Sequence, residues 1–251
     1  MKGVLQALKS RLEPRLLTND PLYVGRINMR RRFVRLAAPV LRGRDVLDLG
    51  CGRQPYRSLM AARSYVGVDI EPSVRPQVVA VGDRLPFAAS SFTGVVCSEV
   101  LEHTPHPERV LADIRRVLAE GGLLYVTVPQ MWYLHYEPHD YFRFTSHGLR
   151  SLLQGAHFRV LRVERQGGLA LFLFLRSVEF LHRVLFHLVP PIVSTARRTR
   201  IAATLLAPYQ LFGLLFVSIV DRFSKRDAIG WAMLAEAVPT ESTSSEALVR
   251  S

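Results

Sequence analysis

The heptapeptide Val46-Leu47-Asp48-Leu49-Gly50-Cys51-Gly52 constrains this chain more than any other stretch. A short apolar run with an embedded acid, followed at once by two glycines, describes a buried strand that turns sharply toward a helix. Glycines in such a turn let backbone approach a ligand closely, and the turn amides favour polar or anionic groups. A glycine-rich turn alone is a weak signal. Here Asp69 follows 21 residues after Asp48, at the end of YVGVD, where a carboxylate can take both hydroxyls of a ribose. Gly82-Asp83 follow a third apolar run and Ser98-Glu99 a fourth. Four successive strand ends therefore carry polar groups along one sheet edge.

The runs VLDL, YVGV, QVVAV, GVVCS, GLLYVTV and FRVLRV alternate with helical segments from residue 46 to about 165. That rhythm predicts a parallel sheet covered by helices. One helix is expected over Pro107–Glu120, with Val110, Leu111, Ile114, Val117 and Leu118 on one face. Another is expected over Ser146–Gln154, capped by Thr145 and ended by Gly155. Residues 1–43 read as a basic helical region, with a short amphipathic helix before Pro14 and an arginine-rich helix from Arg30 to Val40. Residues 44–168 form the core, 169–224 an apolar helical insertion, 225–237 the last strand of the core, and 238–251 a polar, disordered tail.

Net charge is +12, from 33 Lys plus Arg against 21 Asp plus Glu, and only Lys2, Lys9 and Lys225 are lysines. The excess points to anionic partners or to a compositional arginine bias, and both readings stand. The N-terminus lacks the apolar run of a secretory signal, and two cysteines are too few for a disulfide framework, which suits a cytoplasmic protein. Ile201–Val220 is uncharged and long enough on paper to span a bilayer. A single crossing would strand the last β-strand on the wrong side, and a hairpin would bury Arg176, Glu179, His182 and Arg183 in lipid. The expected form is two amphipathic helices joined by a basic loop carrying Arg197, Arg198 and Arg200. They lie on the inner face of an anionic membrane, or serve as a lid or dimer contact.

VLDLGCG, VGVDI, GDRLPF, SEVLEH and RRVLAEGGLLYVTVP resemble the class I S-adenosylmethionine-dependent methyltransferases, in particular the group acting on small molecules, lipids and glycans. The resemblance covers about residues 44–165, with a weaker match at 228–237. It implies a Rossmann-like α/β fold: a seven-stranded, mostly parallel sheet with helices on both faces and an antiparallel last strand. S-adenosyl-L-methionine would lie across the strand ends. By position, Gly50, Cys51 and Gly52 line its methionine and ribose, and Asp69 with Ile70 holds the ribose. Asp83 with Arg84 or Leu85 flanks the adenine, Asp48 orients the amino end through water, and Ser98 and Glu99 close the fourth strand end. Cys51 is read as a packing residue, not a nucleophile. One departure is visible: many members carry a third glycine where this chain has Gln54.

Methyl transfer to a hydroxyl needs donor and acceptor in line and a base for the proton. The loop Pro129–Thr145 is dense in such groups and is similar to the HxxPxDYFRFT-type loop of methyltransferases of glycan and lipid assembly. His139 is the preferred base, with His135 and Tyr141 as alternatives; Asp140 and Arg143 fit structural or catalytic roles equally. Glu99, Glu102 and His103 have the composition of a metal site used by related quinone methyltransferases. Glu102 and His103 are adjacent, however, and no metal is expected. The function these features imply is O-methylation of a lipophilic or lipid-linked acceptor, such as a glycolipid, a lipid-linked sugar or a quinone. The alternatives are an RNA methyltransferase, although no RNA-binding module is recognisable, and an inactive cofactor-binding module at a membrane. Oligomeric state is left open.

Overall fold

The computed structural model describes residues 23–221 and 227–239, so the helix expected before Pro14 and the tail beyond Pro239 lie outside the described residues. The chain divides into two compact units, one of Arg32–Arg165 with Gly230–Ser251 and one of Met1–Arg31 with Gln166–Ile229.

Helix α1 (Tyr23–Leu36) and the short α2 (Ala38–Leu41) replace the single helix expected from Arg30 to Val40. Pro39 is the reason: it cannot donate to the preceding turn, and it sits instead in the first turn of the new helix. The sheet follows as β1 (Asp45–Leu49), β2 (Ser64–Asp69), β3 (Val78–Val79), β4 (Phe92–Ser98), β5 (Leu118–Pro129), β6 (Phe158–Arg165) and β7 (Gly230–Ala237). Their spatial order is β3-β2-β1-β4-β5-β7-β6. The first five are parallel, and β7 runs antiparallel between β5 and β6. This is the Rossmann-like mixed sheet.

Alternation along the strands sorts the core into two faces. Leu47, Leu49, Val95, Cys97, Leu124 and Val126 pack with helices α4 (Pro107–Val117) and α5 (Ser146–Gly155) on one side. Val46, Val96, Tyr125 and Ala232 pack with Phe33, Leu41 and Tyr56, and with Met60 of the short helix α3 (Arg57–Met60), on the other. Phe33 stacks on Tyr56 at 4.3 Å and meets Tyr125 edge-on at 5.2 Å. On α4 the residues Val110, Leu111, Ile114 and Val117 are all buried, each worth about 1.5–3 kcal/mol of transfer free energy.

Helix α4 ends at Val117, three residues short of the expected Glu120, because Leu118 turns its side chain into the core and pairs with Phe92 as the start of β5. Gly121 then takes φ +70, and a Cβ at Gly122 would lie 2.7 Å from the Leu118 side chain. The pair of glycines is what lets the strand begin there. Helix α5 has the expected cap: Thr145 accepts a hydrogen bond from the Gly148 amide at 3.0 Å.

In the other unit, α6 (Leu169–Leu188) and α7 (Thr195–Val220) form a helical pair. They approach closely where Gly213 leaves room for the Phe174 ring, and Ser177 and Tyr209 join hydroxyls at 2.8 Å. The carboxylate of Asp221 accepts the Gly168 and Leu171 amides at 2.7 and 3.3 Å, capping α6 where its own sequence offers only glycine. Arg197, Arg198 and Arg200 do not form a loop. They stand in the first two turns of α7, because Pro190-Pro191 stop α6 and the new helix starts after Ser194.

Candidate active site

Five parallel strands bring the ends of β1, β2, β3, β4 and β5 to one edge of the sheet, and the chain reverses its direction of travel across it between β1 and β4. In open α/β sheets that is where ligands bind. The turn after β1 occupies it.

Gly50 and Gly52 both lie in the left-handed region, at φ +66 and +48. Their surroundings differ. A Cβ on Gly50 would sit 2.3 Å from Val100 Cγ2, so that glycine serves close packing inside the protein. A Cβ on Gly52 would meet nothing within 4 Å and would project into open space, the cradle a close-lying cofactor requires. The Gly52 amide donates to Asp69 Oδ2 at 2.8 Å, and Asp69 Oδ1 accepts the Glu71 amide at 2.9 Å. Asp69 is thereby fixed at the end of β2 with lone pairs still available to a diol.

Gln54 explains its own oddity. It stands at φ +57, where a glycine would be unstrained, with its amide on Cys51 O at 2.7 Å and its side chain on Gln77 and Arg57. Cys51 is buried and burial pushes its thiol up to about 12, so it packs and does not attack. Asp48 is buried as well. Burial raises its carboxyl to about 7, the charge of Asp69 adds to this, and a 2.6 Å hydrogen bond from Tyr65 Oη opposes it.

Ile70, placed beside Asp69 at the ribose, is 68% exposed, and of the residues placed around the adenine Asp83 and Arg84 are exposed. Leu85 is different. Its side chain lies in the core, its amide donates to Asp113 Oδ2 at 2.5 Å and its carbonyl accepts from Arg116. At the end of β4, Ser98 Oγ shares a hydrogen bond with Thr127 Oγ1 at 2.8 Å and lies 3.4 Å from Tyr56 Oη. Glu99 follows at φ +55, its amide donating to Thr127 O.

A 3-10 turn, Leu101–His103, follows Glu99, and the loop after β5 packs against it: the Tyr141 amide donates to Glu102 O at 2.8 Å, and His103 Nδ1 lies 2.6 Å from His139 O. Glu102 is fully buried and its carboxyl is raised well above the usual range, by burial first and then by the charge of Glu99. Burial lowers the His103 imidazole, favouring the neutral ring.

The tight turn corrects the expectation that adjacency keeps Glu102 and His103 apart. Glu102 Oε1 is 3.8 Å from His103 Nε2, and with His135 the three offer ligand atoms all within 4.8 Å of one another. One carboxylate and two imidazoles form a donor set suited to a divalent transition metal.

His135 and His139 are not equivalent. His139 is exposed, with Nδ1 3.2 Å from Tyr141 Oη. His135 is partly buried, its ring edge-on to His103 at 4.7 Å. Its Nδ1 faces two acceptors, Tyr133 O and Asp140 Oδ2, each at 3.2 Å. Nδ1 therefore carries the hydrogen, and Nε2 keeps the basic lone pair. Asp140 in turn is held bidentately by Arg143, which keeps its carboxyl well below the usual range, and Arg143 also donates to Trp132 O and Tyr133 O. Sequence reasoning left Asp140 and Arg143 without a fixed role and grouped Glu102 and His103 with Glu99, not with His135, because their spacing from His135 carries no local pattern.

A seven-stranded sheet of this order, with a glycine turn and an acid at the next strand end, defines the Rossmann-like methyltransferases. The chain matches a family described as a methyltransferase domain over residues 25–163, and it belongs to the S-adenosylmethionine-dependent methyltransferases of class I. Demethylmenaquinone methyltransferase of Renibacterium salmoninarum is 33% identical over 124 residues, 44% of this chain and 52% of that protein. Ubiquinone biosynthesis O-methyltransferase of Thiobacillus denitrificans is 31% identical over 114 residues, 39% and 49% of the two. The chain spans about half the length of these curated relatives. Among solved structures, phosphoethanolamine N-methyltransferase 2 of Haemonchus contortus, in complex with S-adenosyl-L-methionine, superposes with a TM-score of 0.54 at 16% identity, covering 85% of this chain and 53% of that one. At that identity the likeness speaks for the fold.

Proposed function

We propose that this protein transfers a methyl group from S-adenosyl-L-methionine to a hydroxyl of a lipophilic or lipid-linked small molecule, with a quinone-type ring as the first acceptor to test. The acceptor is reached from the cytoplasmic face of a membrane. The observation that carries the reading is His135, an imidazole with its tautomer set by Asp140 and Tyr133, standing where the loop after β5 meets the turn after β4. Gly52, Asp69, Ile70 and Asp83 would hold the cofactor, which supplies the methyl group when bound. The protein's own residues order the turn, keep water from the reacting atoms and take up the acceptor's proton at His135 Nε2. The two quinone-pathway relatives support the acceptor class by similarity alone.

The experiment is transfer of labelled methyl by the purified chain to a dihydroxybenzoquinol acceptor, to extracted glycolipids and to RNA. Label in the quinol or lipid fraction that vanishes with His135→Ala supports the reading. Label in RNA alone would replace it, and none in any fraction would favour a binding module without activity. A second reading is favoured by the convergence of Glu102, His103 and His135: a divalent cation held there would acidify the acceptor hydroxyl. Activity lost to a chelator and restored by Mn2+ or Zn2+, together with a cation-induced rise in melting temperature absent from His103→Ala, would separate it from the first.

A further inference from the structure

Helix α7 is apolar on two faces. Its inner side buries Ala202, Ala203, Leu206, Gln210 and Val217. On the other side stand Ile201, Leu205, Phe212, Phe216 and Ile219, at intervals of four, seven, four and three residues, which at 3.6 residues per turn bring them to one stripe. All five are exposed, Leu205 by 61% and Ile219 by 59%. Helix α6 repeats the pattern with Leu169, Leu173, Phe180, Val184 and Leu188, and Ile192 in the connecting turn is 93% exposed. A soluble surface does not leave so much large apolar side chain in water without a use for it.

The charge around these stripes is of one sign. Between Glu179 and Asp221 the sequence has four arginines and no acid. Two of the four are taken: Arg183 pairs with Glu179, and Arg198 lies over the Phe186 ring at 4.1 Å and donates to the Phe186 carbonyl. Arg197 and Arg200 have no acidic partner among the described residues. Both line an open groove of about 510 Å³ on the first turns of α7, beside Thr204, with Ile201 and Leu205 as its apolar wall.

We propose that this groove and the stripe that continues from it dock on an anionic phospholipid surface: Arg197 and Arg200 take the headgroup phosphate, while Ile201, Leu205 and the phenylalanines beyond enter the acyl boundary. Cations flanking an exposed apolar stripe are the arrangement by which an amphipathic helix lies in a membrane interface. Among the described residues no helix is long and apolar enough to cross a membrane, so the contact is along the surface. The inference rests on the reading of the chain as peripheral to a membrane and not on methyl transfer, and its test contains no methyl acceptor.

The test is co-sedimentation of the full chain with phosphatidylcholine vesicles, with and without phosphatidylglycerol, at low and high salt. Binding should require the anionic lipid. Arg197→Gln with Arg200→Gln should lower partitioning roughly twenty-five-fold, a factor of about five for each arginine, while the lysine pair at the same positions binds as the wild type. Leu205→Asp with Phe212→Asp should abolish binding at every salt concentration. Thermal melts of each variant identify any that misfold, and the charge-retaining pair keeps the test decisive in that case. Equal binding to neutral and anionic vesicles, or binding that persists in the Gln pair, would overturn the site while leaving a peripheral protein. Protein that stays in the supernatant and either dimerises through Leu205 or is retained on RNA through Arg197 would overturn the membrane occupant altogether.

Discussion

Asp140 and Arg143 face each other through two hydrogen bonds, Oδ1 to Nη1 at 2.6 Å and Oδ2 to Nη2 at 2.7 Å. The same Oδ2 accepts the His135 amide at 2.9 Å and lies 3.2 Å from His135 Nδ1. A single carboxylate, shielded from solvent, thus joins the clamp on the loop to the orientation of the imidazole.

His135→Ala should lower turnover by roughly a hundredfold or more, with cofactor affinity nearly unchanged, as the loss of a general base does. Asp140→Asn should act in the same direction, since the neutral amide weakens both the Arg143 clamp and the acceptor for Nδ1–H. His139→Ala, on the exposed side of the loop, should leave most of the activity. Steady-state rates beside calorimetric cofactor titrations check all three. A large loss in His139→Ala with little in His135→Ala would return the base to the residue preferred from sequence.

The contrast between those two histidines shows what the sequence could and could not reveal. The glycine turn, Asp69 and the strand ends were legible because each is a local pattern tied to strand and turn geometry. The mostly parallel sheet followed from the alternation, and its seven strands and antiparallel last strand from the resemblance. Glu102, His103 and His135 were not legible together, because their meeting depends on a 3-10 turn and on a loop more than thirty residues away. The role of Arg198 was hidden for a similar reason: its partner, the Phe186 carbonyl, belongs to the end of another helix. Even the end of α4 was set by the core demand of Leu118 on the neighbouring strand, which overrode the helical periodicity.

Asp69→Ala should weaken S-adenosyl-L-methionine binding by at least tenfold. The substitution removes the acceptor for the ribose hydroxyls, each charge-assisted bond being worth about 1.5–3 kcal/mol, and it also releases the Gly52 amide. Asp69→Asn should fall between, since its carbonyl oxygen can still hold that amide. Calorimetry on folded protein that shows wild-type affinity for both would remove Asp69 from the cofactor site.

Gly50 and Gly52 should fail in different ways. Gly50→Ala forces a Cβ into Val100 and should destabilise the fold, by about 1–3 kcal/mol as overpacking does. Gly52→Ala meets open space and carries only the left-handed strain of about 1–2 kcal/mol, but its methyl enters the volume proposed for the cofactor. Denaturant melts paired with cofactor titrations should find the larger stability loss at Gly50 and the larger affinity loss, relative to stability, at Gly52. The reverse pattern would mean that the open space beside Gly52 is not where the cofactor lies.

Asp48 should give the protein a pH-dependent stability of defined sign. Its folded carboxyl is raised to about 7 from an ordinary 3.8, chiefly by burial. Between those values the folded chain holds a proton that the unfolded chain releases, so stability falls as pH rises from about 4 to about 7 and the full penalty stands above 7. A displacement of that size is worth on the order of 4 kcal/mol. Asp48→Asn keeps an acceptor for Tyr65 and has no charge to desolvate. Its melting temperature should therefore exceed the wild type's at pH 8, by roughly 8–16 °C for a chain of this size, and converge with it at pH 4. Glu102, also raised by burial, adds a slope of the same sign that remains in the variant, so the difference between the two curves is the quantity to measure. Parallel curves from pH 4 to 8 would show that Asp48 stays ionised in the fold, and that its contact with Tyr65 outweighs its burial.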